Sequence, residues 1–109
     1  MRKFLYEYET VFTLEQLETE YRTDRAEDFD GTFAQWLEEC TGKNGALTEI
    51  LTDDTPRWNR KSAVIECVVY GDDENDDYFA WLTLDEIARK RSCGYCVKAC
   101  AAEQEKYIA

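Results

Sequence analysis

The sequence predicts a small α+β protein, in which a mostly antiparallel sheet of about three strands packs against three or four helices. Three segments are rich in apolar, β-branched and aromatic residues, as strands are. They are residues 4–12, 62–70 and 78–82. Three other segments carry apolar residues at helical spacing. They are residues 14–23, 33–41 and 84–106. A length of 109 residues and a hydrophobic fraction of 44% predict one compact domain over residues 1–109.

The three helices begin with the same signal. In each, a threonine is followed three residues later by Gln or Glu, the pattern of a capping box. The pairs are Thr13 with Gln16, Thr32 with Gln35, and Thr83 with Glu86. The last helix is the least certain in length, because Gly94 lies inside it and is a place where it could break.

The strands are separated by turn signals. Residues 62–70 form the strongest strand, and an acidic run after Gly71 predicts a hairpin loop leading into residues 78–82. Residues 47–51 fit a short helix or a short strand equally well.

The charge is unevenly distributed along the chain. The formal net charge is −11. Residues 1–86 hold 8 Lys/Arg and 22 Asp/Glu, whereas residues 87–109 hold 5 Lys/Arg and 2 Asp/Glu. A strongly acidic body favours basic partners and repels nucleic acid. We therefore expect no direct nucleic-acid binding.

Several classes of function find no support in the sequence. There is no histidine, which removes the commonest general base and the commonest metal ligand. No glycine-rich phosphate loop is present. We therefore expect a protein that is not an enzyme and has no cofactor. No signal peptide and no membrane-length apolar stretch are visible, which predicts a cytoplasmic protein without a membrane partner.

Three cysteines lie close together near the end of the chain, at Cys93, Cys96 and Cys100. The i, i+3, i+7 spacing predicts a buried stripe on one helix, in which the thiols act as small apolar side chains. Two alternatives are a metal site and a redox module, since neighbouring Lys and Arg residues would favour the thiolate. Cys93-Gly94-Tyr95-Cys96 is similar to the active-site tetrapeptide of bacterial periplasmic disulfide isomerases.

Two acidic clusters and one tryptophan are the candidate partner-binding residues. The clusters are a loop between the first two helices, with Asp24, Glu27, Asp28 and Asp30, and the predicted hairpin tip, with Asp72, Asp73, Glu74, Asp76 and Asp77. Trp58 lies in a polar, basic stretch without apolar periodicity, and either packs into the core from a loop or anchors an interface. The alternative for the clusters is a solvated surface that keeps the protein soluble.

The chain resembles the small acidic proteins of phages and mobile elements. The resemblance lies in its size, acidity and α+β pattern, and in residues 32–45, which look like a segment common in small mobile-element proteins. It implies an inhibitor of the anti-CRISPR or anti-restriction type, which occupies the basic surface of a nucleic-acid-binding enzyme as a DNA mimic. A cysteine-based metal or redox module and a generic protein-interaction domain are the alternatives, and the sequence leaves the oligomeric state open.

Overall fold

The computed structural model describes residues 1–42, 45–71 and 77–109. The chain forms two compact units, Met1–Thr55 and Pro56–Ala109. Each unit contains one three-stranded antiparallel sheet together with helices. The α+β class is confirmed, although the strands form two sheets of three and not one sheet. The one-domain organisation stays a prediction.

The sheet of the first unit has the strand order β2-β1-β3, from β1 (Lys3–Tyr6), β2 (Thr10–Thr13) and β3 (Leu47–Ile50). The single strand expected over residues 4–12 is therefore a hairpin. Its turn uses Glu7 and Tyr8, which have φ angles of 50° and 62°. The Glu9 amide donates to the Tyr6 carbonyl at 3.0 Å. Glycine or asparagine usually marks such a turn, and neither is present.

The helices of the first unit begin where the sequence predicts. In α1 (Leu14–Glu20) the Gln16 amide donates to the Thr13 hydroxyl at 3.2 Å, and the Thr13 amide donates back to the Gln16 side chain at 2.9 Å. Thr32 caps α2 (Phe33–Cys40) in the same way. The helix expected over residues 14–23 changes its winding at Tyr21, where a π-helical turn (Tyr21–Arg25) begins.

The core of the first unit lies between one sheet face and the two helices. Phe4 and Leu47 of the sheet pack with Leu17 of α1 and Leu37 of α2, and all four are buried. The same sheet face carries Glu49, which is 2% exposed. Its carboxylate accepts two hydrogen bonds from the Arg2 guanidinium, both at 2.8 Å, which pairs the buried charge.

The sheet of the second unit has the order β5-β4-β6, from β4 (Ile65–Tyr70), β5 (Tyr78–Leu82) and β6 (Cys96–Ala99). The predicted pairing of the strand at residues 62–70 with the strand at 78–82 is confirmed, although β4 begins at Ile65. The buried residues alternate along β4 as Ile65, Cys67 and Val69, as expected for a strand with one face in the core. Short 3-10 turns precede β4 (Arg57–Asn59) and follow β6 (Ala102–Tyr107).

The last helix is much shorter than predicted. α3 (Leu84–Ser92) starts at a capping box on Thr83, but it ends long before residue 106. The Tyr95 amide donates to the Lys90 carbonyl and the Gly94 amide to the Arg91 carbonyl, which together form a Schellman motif. Gly94 has a φ of 96°, a value that glycine adopts without strain. The chain then reverses into β6, a strand that the sequence did not predict.

Two side chains hold the outer edge of β6. The Arg91 guanidinium donates to the carbonyl oxygens of Val97, at 2.7 Å, and of Ile108. The Ala99 amide donates to the Glu105 carboxylate at 2.9 Å. In the described part of the chain, no helix is long and apolar enough to cross a membrane.

Candidate functional site

The predicted acidic loop lies at the surface of the first unit. Asp24 is in the π-helical turn, Glu27 and Asp28 follow it, and Asp30 lies just before α2. All four residues are exposed. A change of winding followed by a short loop thus presents four carboxylates within seven residues, as the sequence predicts.

A cleft extends this acidic surface along α2. It has a volume of about 650 Å³ and is lined by Phe29, Asp30, Gln35, Glu38 and Glu39. Glu38 and Glu39 were not among the predicted site residues. They occupy the polar positions of the amphipathic helix, between the apolar positions Leu37 and Cys40, and this pattern could have indicated them. Loop and helix together form the surface that we call the acidic cleft, comprising Asp24, Glu27, Asp28, Asp30, Glu38 and Glu39.

The carboxylates of the acidic cleft lack ionic partners within the described part of the chain. Ion pairs found there join Arg2 to Glu49, Arg22 to Glu18, and the N-terminal amine to Asp54. None of them includes a carboxylate of the acidic cleft. Residues 1–55 hold 5 Lys/Arg and 14 Asp/Glu, a formal net charge of −9, so this unit carries most of the excess negative charge.

The second predicted cluster is only partly covered by the structure. Asp72, Asp73, Glu74 and Asp76 lie outside the described residues. Asp77 is described and exposed, directly before β5. Residues 56–109 hold 8 Lys/Arg and 10 Asp/Glu, a formal net charge of −2. The two predicted clusters therefore belong to different units, and these units differ strongly in net charge.

Trp58 is not part of the core. It lies in the 3-10 turn Arg57–Asn59 and is 69% exposed, while Asn59 beside it is buried. The core-packing alternative for Trp58 is therefore wrong. Its role as an interface anchor stays a prediction.

The three cysteines of the C-terminal segment do not form a buried helical stripe. Cys93 follows the end of α3, Cys96 begins β6 and Cys100 follows it, and all three are exposed. The prediction failed because the Schellman motif at Gly94 replaces helix with strand. No group of three potential metal ligands is found among the described residues.

The basic residues around these cysteines serve packing within the second unit. The Lys90 ammonium donates to the Tyr78 hydroxyl at 2.9 Å and lies 5.6 Å from the centre of the Tyr95 ring. Arg91 binds the edge of β6, as described above. Burial and Glu66 raise the pKa of the Cys100 thiol. This direction does not favour the thiolate at Cys100, and the redox alternative stays a prediction.

Comparison with known proteins found no matching family model, no similar curated protein and no similar solved structure. Function is therefore inferred from the residues of this chain alone.

Proposed function

We propose that the protein is a non-enzymatic acidic binding protein whose acidic cleft occupies a basic surface of a nucleic-acid-binding enzyme. The observation that carries this proposal is the set of six exposed carboxylates of the acidic cleft, without ionic partners in the described part of the chain. An uncompensated set of this kind attracts a surface rich in Lys and Arg. The sequence resemblance to anti-CRISPR and anti-restriction inhibitors points to such an enzyme in the cytoplasm.

The mechanism is competition for the enzyme's basic groove. Nucleic-acid-binding enzymes hold phosphates with Lys and Arg side chains, and binding releases the counterions of both surfaces. Carboxylates on a concave surface accept the same hydrogen bonds as phosphate oxygens. Asp30, Glu38 and Glu39 line the cleft, while Asp24, Glu27 and Asp28 extend the charge beyond it. The enzyme then loses access to its nucleic acid while the inhibitor is bound.

The test is displacement of labelled DNA from a panel of purified restriction and CRISPR effector enzymes. We expect displacement by the full-length protein, weakening steeply between about 50 and about 300 mM NaCl because the attraction is electrostatic. The variant Asp24→Asn/Glu27→Gln/Asp28→Asn/Asp30→Asn should bind the enzyme at least tenfold more weakly. These four carboxylates together attract the basic surface and so speed the association of the two proteins.

A control variant carries the same charge change elsewhere. Glu7→Gln/Glu9→Gln/Glu15→Gln/Glu103→Gln neutralises four other carboxylates that are also exposed. It should keep the affinity within about twofold, apart from a small effect of net charge. Equal losses in the two variants, or binding that does not respond to salt, would contradict the proposal.

A second candidate function is a protein-interaction domain centred on Trp58. The exposure of this large apolar side chain favours it, since tryptophan is enriched among the residues that dominate interfaces. Trp58→Ala would then weaken partner binding by about 2 kcal/mol, while the four-carboxylate variant of the loop would leave it unchanged. The opposite pattern would support the acidic cleft.

A further inference from the structure

A second cavity in the first unit lies between the sheet and the two helices. It has a volume of about 390 Å³, and none of its described lining residues lines the acidic cleft. Tyr6, Phe12 and Leu47 of the sheet form one side, and Trp36 and Cys40 of α2 belong to the other. Its size and its mixture of apolar walls with few charged groups are those of small-molecule sites.

Three aromatic rings line this cavity. The Tyr6 and Phe12 rings stand nearly perpendicular, with an interplanar angle of 72° and centroids 6.3 Å apart. The Trp36 ring packs against the rings of Tyr21 and Phe33, at centroid distances of 5.5 and 6.0 Å. Tyr6 is 39% exposed, and Phe12 and Trp36 are half-buried, so the rings remain accessible. Aromatic rings around an accessible space attract organic cations through the negative faces of their π systems.

Among the described lining residues two are charged, Glu20 and Arg25. They lie at the two ends of the π-helical turn, in which the amide of residue i+5 donates to the carbonyl of residue i, as the Ala26 amide does to the Tyr21 carbonyl. Neither residue forms an ion pair within the described part of the chain. Glu20 is half-buried and Arg25 is exposed, so water screens the guanidinium more than the carboxylate.

The remaining polar group of the wall is neutral. Burial raises the pKa of the Cys40 thiol, an effect strengthened by Glu39 and opposed by Arg25. The described lining therefore combines three ring surfaces, one half-buried carboxylate, one exposed guanidinium and a neutral thiol, in a unit of net charge −9.

We propose that this cavity binds a small organic cation of the substituted-ammonium class. The apolar substituents contact the rings of Tyr6, Phe12 and Trp36, and Glu20 supplies the counter-charge. A substituted ammonium fits better than a bare one, because its alkyl groups match the apolar walls and it sheds less tightly held water. The described residues that would hold the cation are not those of the acidic cleft.

Three probes of one shape and different charge test the proposal on the full-length protein. Choline is cationic, 3,3-dimethylbutan-1-ol is its neutral counterpart, and 3,3-dimethylbutanoate is an anion with the same tert-butyl body. Binding is followed by NMR through the indole N–H signal of Trp36, identified by its loss in Trp36→Phe. We expect choline to bind roughly 2- to 30-fold more tightly than the neutral alcohol, and the anion to bind most weakly.

Matched variants then locate the charge that matters. Glu20→Gln should reduce the preference for choline over the alcohol without abolishing it, because the rings still attract the cation, and it should leave the affinity for the alcohol unchanged. Glu18→Gln, on the same helix but outside the cavity lining, should change neither. The four-carboxylate variant of the loop should also retain choline binding, so failure of the acidic-cleft proposal would be visible separately.

Three results would overturn the inference. They are equal affinities for choline and the alcohol, tighter binding of the anion, and no saturable shift with choline up to about 0.1 M. Because the probe series uses the unaltered protein, it remains decisive even if a variant fails to fold.

Discussion

The Arg2–Glu49 ion pair of the first unit involves a fully buried side chain. The Glu49 side chain is 0% exposed and Arg2 is 23% exposed. The hydrogen bonds from Arg2 raise its own pKa, although burial opposes this rise. Arg2 also lies 5.2 Å from the centre of the Phe4 ring. A carboxylate in the core is tolerated here because a guanidinium binds both of its oxygens.

Replacing this arginine should therefore be costly. Arg2→Met removes the cation but keeps most of the apolar stem, and we expect a loss of about 3 kcal/mol in the free energy of unfolding. The control Arg22→Met removes the exposed partner of Glu18 and should cost about 0.5 kcal/mol or less. Urea denaturation of both variants measures the difference, and similar costs would show that Glu49 does not depend on Arg2.

The buried thiol of Cys67 makes the stability of the second unit depend on pH. Burial is the main cause that raises the pKa of its thiol to about 11, and the charges of Cys100 and Glu105 add to it. In the unfolded chain the thiol titrates near 9.0. Between these values the unfolded chain loses its proton while the folded protein retains it. This contribution to stability is therefore complete below pH 9.0 and is lost as the pH rises toward 11.

The variant Cys67→Ala removes this linkage. Between about pH 8 and about pH 10.5, the parent should lose about 2 kcal/mol more of its unfolding free energy than the variant loses. Urea denaturation in the presence of reductant at the two pH values gives both differences. If parent and variant lose equal amounts, the pKa of Cys67 is not raised in the fold.

At the scale of elements, the β1–β2 turn holds the two non-glycine residues with positive φ angles that are found among the described residues. Glu7 and Tyr8 both adopt the left-handed conformation, which costs a residue with a Cβ atom roughly 1 kcal/mol. Nevertheless the hairpin forms, because its strands place Phe4 and Phe12 opposite each other beside the core. Burial of these rings outweighs the local cost of the turn.

Substitutions that suit the backbone of this turn should stabilise the protein. Glu7→Asn/Tyr8→Gly supplies the pair of residues that prefers two successive positive φ angles, and should stabilise the protein by about 1 kcal/mol. The change in the urea midpoint measures it. Glu9→Gln, which removes a charge at the next position without altering backbone preference, should have almost no effect. Loss of stability in the double variant would mean that Tyr8 makes contacts worth more than the strain.

Local sequence signals predicted the starts of the helices better than the end of the last helix. The capping boxes at Thr13, Thr32 and Thr83 were predicted correctly, because a cap depends on residues three positions apart. The acidic loop was also predicted from local signals, since it lies between two helices whose starts the capping boxes mark. The break after α3 was harder to place, since Gly94 is compatible both with a helix interior and with a Schellman motif. Only the pairing of β6 with β4, nearly thirty residues earlier, decides between them.

Long-range effects account for the other differences. Residues 4–12 alternate as a single strand should, and no turn residue interrupts them. The reversal at Glu7 is seen only in the structure, where β1 pairs with β2 on one side and with β3 on the other. The aromatic cavity was not predicted either. Tyr6, Phe12 and Trp36 look like core residues in the sequence, and only packing reveals that they remain partly exposed around a space.

At the scale of the whole molecule, negative charge is concentrated in one unit. The first unit has a net charge of −9 and the second a net charge of −2. Repulsion between the carboxylates of the first unit therefore opposes its compact state. Three of its cations do not relieve the acidic cleft: Arg2 and Arg22 are paired elsewhere, and Arg25 lines the second cavity.

Salt should therefore stabilise the protein. Raising NaCl from about 50 to about 500 mM should increase the urea midpoint, because the added ions screen repulsion between carboxylates. Asp24→Asn/Glu27→Gln/Asp28→Asn/Asp30→Asn should be more stable than the parent at low salt and respond less to added salt. A parent that is insensitive to salt, or one that salt destabilises, would show that repulsion is not significant.

The edge of β6 has a consequence for self-association. The backbone groups of Val97 and Ala99 point away from β4, toward the side where another chain would add a strand. The Arg91 guanidinium and the Glu105 carboxylate already bind a carbonyl and an amide there. An incoming strand would have to displace both side chains before it could pair with the Val97 carbonyl and the Ala99 amide. The second unit thus carries its own barrier against fibre-like growth along this edge.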